Sequence, residues 1–336
     1  MTAHTEELIV EIRGRAGVIT LNRPRALNSL NTGMIEGMID ALETWREDDA
    51  VALVIVQGAG DRAFCAGGDV ASVYRLNQAD RQGESDHFFE VEYTLNQMIH
   101  DYPKPYVALM DGIVLGGGLG VSAHGSHCIV TETSRIGMPE TGIGLFPDVG
   151  ISWILARAPQ KLGMHLALTG VHVGAPEAIE VGLADTFVES GRLVELVGKL
   201  CEDGDTGHIE NFSSEPPAPT DSDRQLMEQA YSGETVEEIL AALQGIDAEW
   251  AEKAVTAMER ACPTSLKVAH EAQRRAAAMD LAGVLAQDRV LARNMHRRHD
   301  FMEGVRAQLI DKDRNPSWNP ASLSGVHDED VARLFV

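Results

Sequence analysis

Two carboxylates stand in a stretch of this sequence that offers them no ion partner. The stretch MPETGIGLFPDVG, residues 138–150, places Glu140 and Asp148 among apolar, glycine and proline residues, with no Lys, Arg or His between them. Acidic side chains are rarely used for packing without a partner, so this pattern favours acid–base or nucleophilic chemistry. The alternative, on the residues alone, is that Asp148 caps a helix that begins near Gly150.

Two further glycine-rich stretches could supply backbone N–H groups to such chemistry. FCAGGDV (64–70) and DGIVLGGGLG (111–120) each follow a strand-like run and favour a helix start, where N–H groups lack acceptors. Two N–H groups aimed at one point can hold a carbonyl oxygen as it gains negative charge. The alternative is that the glycines mark tight turns. GGGLG does not match a phosphate-binding loop, because it lacks the Lys-Ser/Thr ending.

Hydrophobic patterning predicts an α/β fold class. LIVEIR, AGVITL, VALVIVQ and PYVALM are strand-like, whereas NTGMIEGMIDALETWRED and FFEVEYTLNQMIHDY are helix-like. Asn31 or Thr32 would cap the first of these helices. Alternation of this kind implies parallel strands with covering helices.

After about residue 150 helical patterns dominate the sequence. A Ser- and Pro-rich stretch at 207–223 is predicted to be a loop, and further helical segments follow it. We therefore predict an α/β core with the active site over residues 1–205. Residues 206–336 are expected to form a loop and a C-terminal helical extension that packs on this core.

Composition excludes several classes of partner. The formal net charge of −23 and the lack of a basic stripe argue against nucleic acid. No apolar run approaches the roughly 20 residues that a membrane helix needs, and the N-terminal stretch MTAHTEELIVEIRGRAG lacks the pattern of a secretory signal. The four cysteines are scattered without CxxC pairing, which favours reduced thiols and a cytoplasmic location.

Six stretches together resemble one known family. ITLNRPRALNSL, AFCAGGDV, GIVLGGGLG and MPETGIGLFPDVG occur in the order and spacing of the crotonase (enoyl-CoA hydratase/isomerase) superfamily. CPTSLK (262–267) and HDFMEGVRAQLIDKDRNPSWNP (299–320) resemble the C-terminal signature of one branch, the 3-hydroxyisobutyryl-CoA hydrolases. The resemblance implies a crotonase (ClpP-like) spiral of ββα units, with two roughly perpendicular sheets and a C-terminal helical region.

The resemblance also implies where an acyl-CoA thioester would react. The family's oxyanion hole corresponds to the backbone N–H groups of Gly68 and Gly117. Hydratases of the family carry a second catalytic glutamate where this sequence has Gly120, which cannot transfer a proton. This difference favours thioester hydrolysis over addition of water to a double bond.

Three acidic residues match positions of the hydrolase branch. Glu140 could deprotonate an attacking water or attack the thioester itself and form an acyl-enzyme anhydride. Asp148 could orient the water, protonate the leaving thiolate or bind the 3-hydroxyl group. Glu92 matches a substrate-contacting acid and could bind the hydroxyl, although without the resemblance it reads as a solvent-facing helix residue. Two neighbouring carboxylates in an apolar loop would raise one of their pKa values.

The coenzyme A portion of the substrate has weaker candidates. Arg25, with Ala26 beside it, lies where the family meets the nucleotide, and Ala66 could offer its carbonyl to the adenine. Arg25 and Arg62 could pair with the phosphates, although a surface arginine is usually only a solvated charge.

Other chemically active residue types are expected to be structural. Cys65 lies beside the first oxyanion loop, but no histidine stands at a family catalytic position to activate it. His296 and His299 have helical spacing, but two residues do not make a metal site. His124 and His127 are expected to pack or to lie on the surface.

Three functions follow for comparison. The first is hydrolysis of 3-hydroxyisobutyryl-CoA, a step of valine catabolism, with no metal and no cofactor beyond the coenzyme A of the substrate. The second is an enoyl-CoA hydratase or isomerase, and the third is a non-catalytic acyl-CoA-binding protein. Family members often form trimers or pairs of trimers, so a homo-oligomer is one expectation. The other is that the C-terminal extension covers that surface.

Overall fold

The computed structural model describes residues 6–219 and 223–336. The predicted lack of a secretory signal bears partly on residues 1–5, which lie outside the described residues. The chain forms two compact units, each assembled from three segments. The first unit comprises Met1–Asp69, Val91–Ile136 and Val173–Pro219, and the second comprises Val70–Glu90, Gly137–His172 and Thr220–Val336. The predicted division at residue 205 stays a prediction.

The strands form two sheets. They are β1 (Leu8–Arg13), β2 (Ala16–Leu21), β3 (Leu53–Gly58), β4 (Ala63–Cys65), β5 (Tyr106–Met110), β6 (Ile113–Leu115), β7 (His127–Val130), β8 (Arg135–Gly137) and β9 (Thr186–Phe187). One sheet has the order β1-β2-β3-β5-β7-β9, and the other has the order β4-β6-β8. In the six-stranded sheet β1 and β2 pair antiparallel, and the other neighbouring strands pair parallel. From β3 to β9, each strand along the sequence belongs to the other sheet than the strand before it.

Strand length separates the strands that patterning predicts from those it misses. β1, β2, β3 and β5 have five or six residues and correspond to the predicted runs. β5, with the sequence YVALM, is buried along its whole length, as parallel strands covered on both faces usually are. β4, β6 and β8 have three residues each and adjoin glycine-rich loops, so neither periodicity nor a long apolar run reveals them.

Helices make up most of the remaining described residues. They are α1 (Thr32–Arg46), α2 (Val70–Gln78), α3 (Gln82–His100), α4 (Gly117–Gly120), α5 (Ile151–Leu155), α6 (Leu162–Thr169), α7 (Ala175–Glu180), α8 (Leu193–Asp203), α9 (His208–Phe212), α10 (Arg224–Ala230), α11 (Val236–Gln244), α12 (Glu249–Arg260), α13 (Pro263–Ala276), α14 (Leu281–Met295), α15 (His299–Val305) and α16 (Asp328–Leu334). Asn31 is the N-cap of α1, and its side chain accepts the N–H of Met34. Of the two predicted caps, Asn31 and Thr32, the first is therefore the one observed.

The core of the first unit lies between the six-stranded sheet and helices α8 and α9. Leu53, Ile55 and Val107 of the sheet are fully buried against Leu196 and Leu200 of α8. Burial of such side chains contributes about 1.5–3 kcal/mol each, so this cluster is a main source of the unit's stability.

The second unit is mainly helical. Its helix α6, with the sequence LGMHLALT, is buried along its whole length and contacts α5, α12 and α13. A helix that is apolar on all faces must be surrounded in this way. This unit also contains the stretch from Gly137 to Gly150, which includes both acids singled out above.

The stretch predicted as a loop at 207–223 is partly helical, because α9 occupies residues 208–212. Residues 220–222 of that stretch lie outside the described residues. Among the helices that the structure describes, none has both the length and the apolar character needed to cross a membrane.

Replacing Leu196 by Ala should lower the free energy of unfolding by about 2–5 kcal/mol, because a fully buried leucine leaves a cavity when truncated. Urea unfolding of the parent and variant measures the loss. Val194→Ala is the matched control on the same helix, because Val194 is 85% exposed, and it should change stability by less than about 0.5 kcal/mol. Equal losses in both variants would contradict the assigned core.

Candidate active site

Parallel strand pairing brings the two glycine loops of the first unit together. β4 and β6 pair with Ala63 opposite Ile113, so the loops that follow their carboxyl ends lie side by side. A Cβ atom placed on Gly67, whose φ is +103°, would lie 3.7 Å from the backbone nitrogen of Gly117. Helix α4 begins at Gly117, where the first N–H of a helix has no acceptor within the helix.

Gly68, Gly117 and Glu92 converge on one point. A Cβ atom placed on Gly117 would lie 2.3 Å from Oε1 of Glu92 and 3.1 Å from the backbone nitrogen of Gly68. No residue other than glycine therefore fits at 117 without moving one of these groups. The backbone hydrogen bonds found among the described residues include none donated by the N–H of Gly68 or of Gly117.

Glu92 is a buried residue of α3 and not the solvent-facing residue that patterning alone favours, since its exposure is only 2%. Its carboxylate also acts on Cys65, and burial together with this charge raises the pKa of that thiol to about 12. A thiol of this pKa stays protonated near neutral pH and is a poor nucleophile. The polar groups at this point are therefore a carboxyl group and two peptide N–H groups.

A backbone hydrogen bond links Ala66 to Leu27, which follows the other two coenzyme A candidates, Arg25 and Ala26, in the sequence. Arg25 and Ala26 form an exposed 3₁₀ turn with Pro24, and Ala66 donates its N–H to the carbonyl of Leu27 at 2.9 Å. Arg62 is also exposed. The proximity of Ala66 to the turn is consistent with a shared site, and the roles of these residues stay predictions.

Asn28 attaches this turn to β4, and sequence reasoning missed it. Its Nδ2 donates to the carbonyls of Ala59 and Ala63 at 2.9 and 2.8 Å, and its Oδ1 accepts the N–H of Arg23 at 3.0 Å. The Asn28 side chain is fully buried. The backbone of Asn28 is in the left-handed region, with φ of 57°. Asparagine adopts this conformation more readily than most residues, which is the signal that the sequence offered.

In the second unit, Glu140 begins a short 3₁₀ turn that ends at Ile143. The Glu140 side chain is only 7% exposed. Its carbonyl accepts the N–H groups of Gly144 and Leu145. The backbone at Glu140 is therefore fixed by its own turn.

The C-terminal signature segments hold this turn in place. The carbonyl of Thr141 accepts the N–H of Cys262, from the CPTSLK stretch, at 2.9 Å. A Cβ atom on Gly144 would lie 2.3 Å from the carbonyl oxygen of Asp300, and one on Gly304 would lie 2.5 Å from the carbonyl carbon of Ile143. The two segments that distinguish the hydrolase branch thus press against the turn that carries Glu140.

Asp148 lies in the turn before α5 and is not the N-cap of that helix. The helix begins at Ile151 with Gly150 as its N-cap, while the carbonyl of Asp148 accepts the N–H of Ile151. The Asp148 side chain is 4% exposed. The N–H of Gly150 donates to Oδ2 of Asp288 at 2.8 Å, so a third acid, from α14, meets the Asp148 turn.

Asp288 is the acid of this group that sequence reasoning missed. It is fully buried, and burial followed by the charge of Asp148 raises its pKa well above the usual aspartate range. The raised pKa expected for one of Glu140 and Asp148 stays a prediction, and Asp288 is a further acid whose pKa is raised. Its signal in the sequence was an acid within the apolar stripe of a helix, four residues after Val284.

The histidines set aside above have structural partners. Nε2 of His296 lies 2.9 Å from Oδ1 of Asp86, and its Nδ1 lies 3.2 Å from Nδ2 of Asn77, with the ring fully buried. Nε2 of His299 lies 3.0 Å from the carbonyl oxygen of Ser317. Within the described ranges no group of three or more His, Cys, Asp or Glu side chains could hold a metal ion.

A family model described as Enoyl-CoA hydratase/isomerase matches residues 16–335. The chain belongs to the enoyl-CoA hydratase/isomerase family. This family member is 40% identical to a Mus musculus protein named 3-hydroxyisobutyryl-CoA hydrolase, mitochondrial, with 100% of this chain and 90% of that protein covered. The Homo sapiens protein of the same name is 39% identical, with the same coverage. The predicted resemblance to this branch of the crotonase superfamily is confirmed.

Solved structures of the same fold carry other names. A carnitinyl-CoA dehydratase from Mycobacterium thermoresistibile has a TM-score of 0.95 and 42% identity, covering 99% of this chain and 97% of its own. An enoyl-CoA hydratase from Rhodobacter sphaeroides 2.4.1 has a TM-score of 0.90 and 37% identity, covering 98% and 97%. These likenesses confirm the crotonase fold class of this family member, with its C-terminal helical region.

Replacing Asn28 by Ala in this family member should lower the free energy of unfolding by about 2–3 kcal/mol, because two buried carbonyls lose their donor. Chemical denaturation measures the effect. Asn22→Ala is the control, because Asn22 makes one exposed hydrogen bond, from Nδ2 to the carbonyl of Glu6, and it should cost less than about 1 kcal/mol. A loss for Asn28→Ala as small as that of the control would contradict the role assigned to Asn28.

Proposed function

We propose that this chain hydrolyses the thioester of 3-hydroxyisobutyryl-CoA to 3-hydroxyisobutyrate and coenzyme A. Full-length relatives at 39–40% identity bear the name of this activity. The structural observation that carries the proposal is the convergence of Gly68, Gly117 and Glu92, with a glycine at 120 in place of a hydratase acid. The reaction belongs to valine catabolism.

The proposed oxyanion hole consists of the N–H groups of Gly68 and Gly117. In thioester hydrolysis the carbonyl oxygen becomes negatively charged as the carbonyl carbon turns tetrahedral. Two N–H donors that are already in place stabilise this charge without reorganisation, and losing one such donor typically costs about 3 kcal/mol. The nearby carboxyl group of Glu92 is suited to accept the hydrogen bond of the substrate's 3-hydroxyl group.

Glu140 is the proposed general base or nucleophile, and two routes lead to the same products. In one, Glu140 removes a proton from water, the hydroxide adds to the carbonyl carbon, and the carbon–sulfur bond breaks as the thiolate takes up a proton. In the other, Glu140 itself adds to the carbonyl carbon and expels coenzyme A, and water then cleaves the resulting anhydride. Asp148 orients the water or protonates the thiolate. The family resemblance supports the assignment of all these residues to one reaction.

The coenzyme A portion is assigned to Arg25, Ala26 and Ala66. An exposed guanidinium next to a turn can pair with a phosphate, and the backbone at Ala66 is tied to the same turn. Since the chain carries a net charge of −23, such local cations are needed to attract an anionic nucleotide.

The competing proposal is a hydratase or dehydratase, which the names of the two similar solved structures favour. A panel of 3-hydroxyacyl-CoA and 2-enoyl-CoA esters separates the reactions. Thiol release from 3-hydroxyisobutyryl-CoA, followed with a chromogenic disulfide, indicates hydrolysis. A change in the absorbance of a conjugated enoyl thioester without thiol release indicates hydration or dehydration. If neither signal appears while the esters bind, the chain is an acyl-CoA-binding protein without this activity.

Glu140→Gln should lower kcat for thiol release by about 10²–10⁴-fold with a modest change in affinity, because the acid acts mainly in the transition state. Steady-state kinetics and a direct measurement of substrate binding separate the two quantities. Glu252→Gln, an exposed substitution on α12, is the matched control and should leave kcat unchanged. A parent-like kcat in Glu140→Gln would remove Glu140 from the mechanism.

A cytoplasmic location and a homo-oligomer are also proposals. The four cysteines are all free thiols, which suits a reducing compartment. The vertebrate relatives are named as mitochondrial proteins, so the cytoplasmic location proposed for this chain differs from theirs. Cell fractionation decides the compartment, and light scattering on the purified protein decides whether it is a monomer, a trimer or a pair of trimers.

A further inference from the structure

Asp288 occupies a position where helix patterning favours an apolar residue. Helix α14 buries one face, formed by Leu281, Val284, Leu285, Leu291, Ala292 and Met295, and Asp288 lies on that same face with no exposed surface. An isolated charge in such a place is strongly disfavoured, so the group is either neutral or tied to a specific partner.

Among the described residues, the Asp288 carboxyl makes one hydrogen bond, to the turn that carries Asp148. Oδ2 accepts the N–H of Gly150 at 2.8 Å, and Oδ1 has no hydrogen-bond partner among the described residues. The turn has left-handed backbone at Val149, with φ of 52°, and at Gly150, with φ of 74°. Positive φ is unusual for a β-branched residue, so the turn needs an external contact that holds it.

The charges around Asp288 favour its protonated form. Burial and the charge of Asp148 raise the pKa of Asp288, while the Gly150 N–H and Arg289 on the same helix lower it by less. Helix α5, with the sequence ISWIL, carries no titratable side chain. No charged group of α13 or α16 in the described chain contributes to this shift. A negative charge on Asp148 therefore opposes a second negative charge on the buried Asp288.

We propose that Asp288 is a positioning residue for Asp148. It holds the 148–150 turn through the Gly150 N–H, and it retains a proton so that Asp148 is the ionised member of the pair. Of the two roles given to Asp148 above, this one leaves the orientation of the attacking water. This inference rests on the proposed function, since the role of Asp148 belongs to that function. Asp288 itself touches neither the substrate nor the reacting atoms in this assignment.

The first test measures stability and needs no substrate. Above about pH 4 an unfolded aspartate releases its proton, while the folded protein retains it on Asp288, so the parent loses stability as pH rises. Asp288→Asn keeps an oxygen acceptor for Gly150 and has no proton to lose. The difference in unfolding midpoint between Asp288→Asn and the parent should therefore shift steadily in favour of the variant from about pH 5 to pH 8.

Asp280→Asn is the matched control for this test. Oδ1 of Asp280 also accepts a backbone N–H, that of Gly283 at 2.8 Å, but at the exposed start of the same helix. Its midpoint difference should not follow the trend of Asp288→Asn. A pH-independent difference for Asp288→Asn would show an ionised, purely structural Asp288 and overturn the proposal.

The second test measures kcat for thiol release across pH. Asp288→Asn should keep most of the parent kcat at neutral pH and lose the decline that ionisation of Asp288 causes at alkaline pH. Asp288→Ala, which frees the turn, should lower kcat by about 10–100-fold with little change in KM. Equal kcat losses in both variants would overturn the proposal. If the parent releases no thiol, the proposed function fails, whereas the stability test still decides the protonation of Asp288.

Discussion

The burial of carboxyl groups is the physical constraint on which this structure depends. Glu92, Glu140, Asp148 and Asp288 are all withdrawn from solvent, and an ionised carboxylate removed from water is stable only with compensating contacts. Each of these acids therefore restricts its surroundings. Glu92 leaves no room for a side chain at Gly117, and Asp288 must meet a backbone N–H. Such constraints weaken a fold, and their presence is explained if the acids perform chemistry.

The peptide groups proposed to form the oxyanion hole owe their position to backbone pairing. β4 and β6 have only three residues each, but their parallel pairing sets two glycine loops side by side. The donors of this proposed pair are backbone groups, so their position follows from the path of the two loops. At Gly117 the absence of a Cβ atom permits the close approach of Glu92 and of the Gly68 nitrogen, so this glycine is fixed by geometry.

Much of this arrangement was predictable, and the exceptions share a cause. Long apolar strands such as β3 and β5, the helix that starts at Asn31 and the family motifs around Gly68, Gly117 and Glu140 are visible within short windows of sequence. Asp288 and Asn28 were missed because their importance comes from contacts distant in sequence, 138 residues away at Gly150 and 35 residues away at Ala63. Burial of Glu92 was equally hidden, because α3 carries several charged residues, and only the packing at Gly117 reveals which of them faces inward.

Hydrolysis and hydration differ in the positions on the acyl chain at which an acidic side chain is needed. Addition of water across a double bond needs a base at the attacking water and an acid that delivers a proton to the neighbouring carbon, whereas thioester cleavage needs proton transfer at the attacking water and the leaving sulfur. Residue 120 is a buried glycine of α4 and supplies no acid, and the carboxyl group that reaches Gly117 comes from α3 at Glu92. In the proposed assignment this carboxyl group binds the 3-hydroxyl of a saturated acyl chain. An enoyl ester lacks the hydroxyl group that Glu92 would bind, so this assignment predicts a preference for a 3-hydroxyacyl ester. In this assignment Glu92 selects the substrate, whereas cleavage of the thioester is assigned to Glu140.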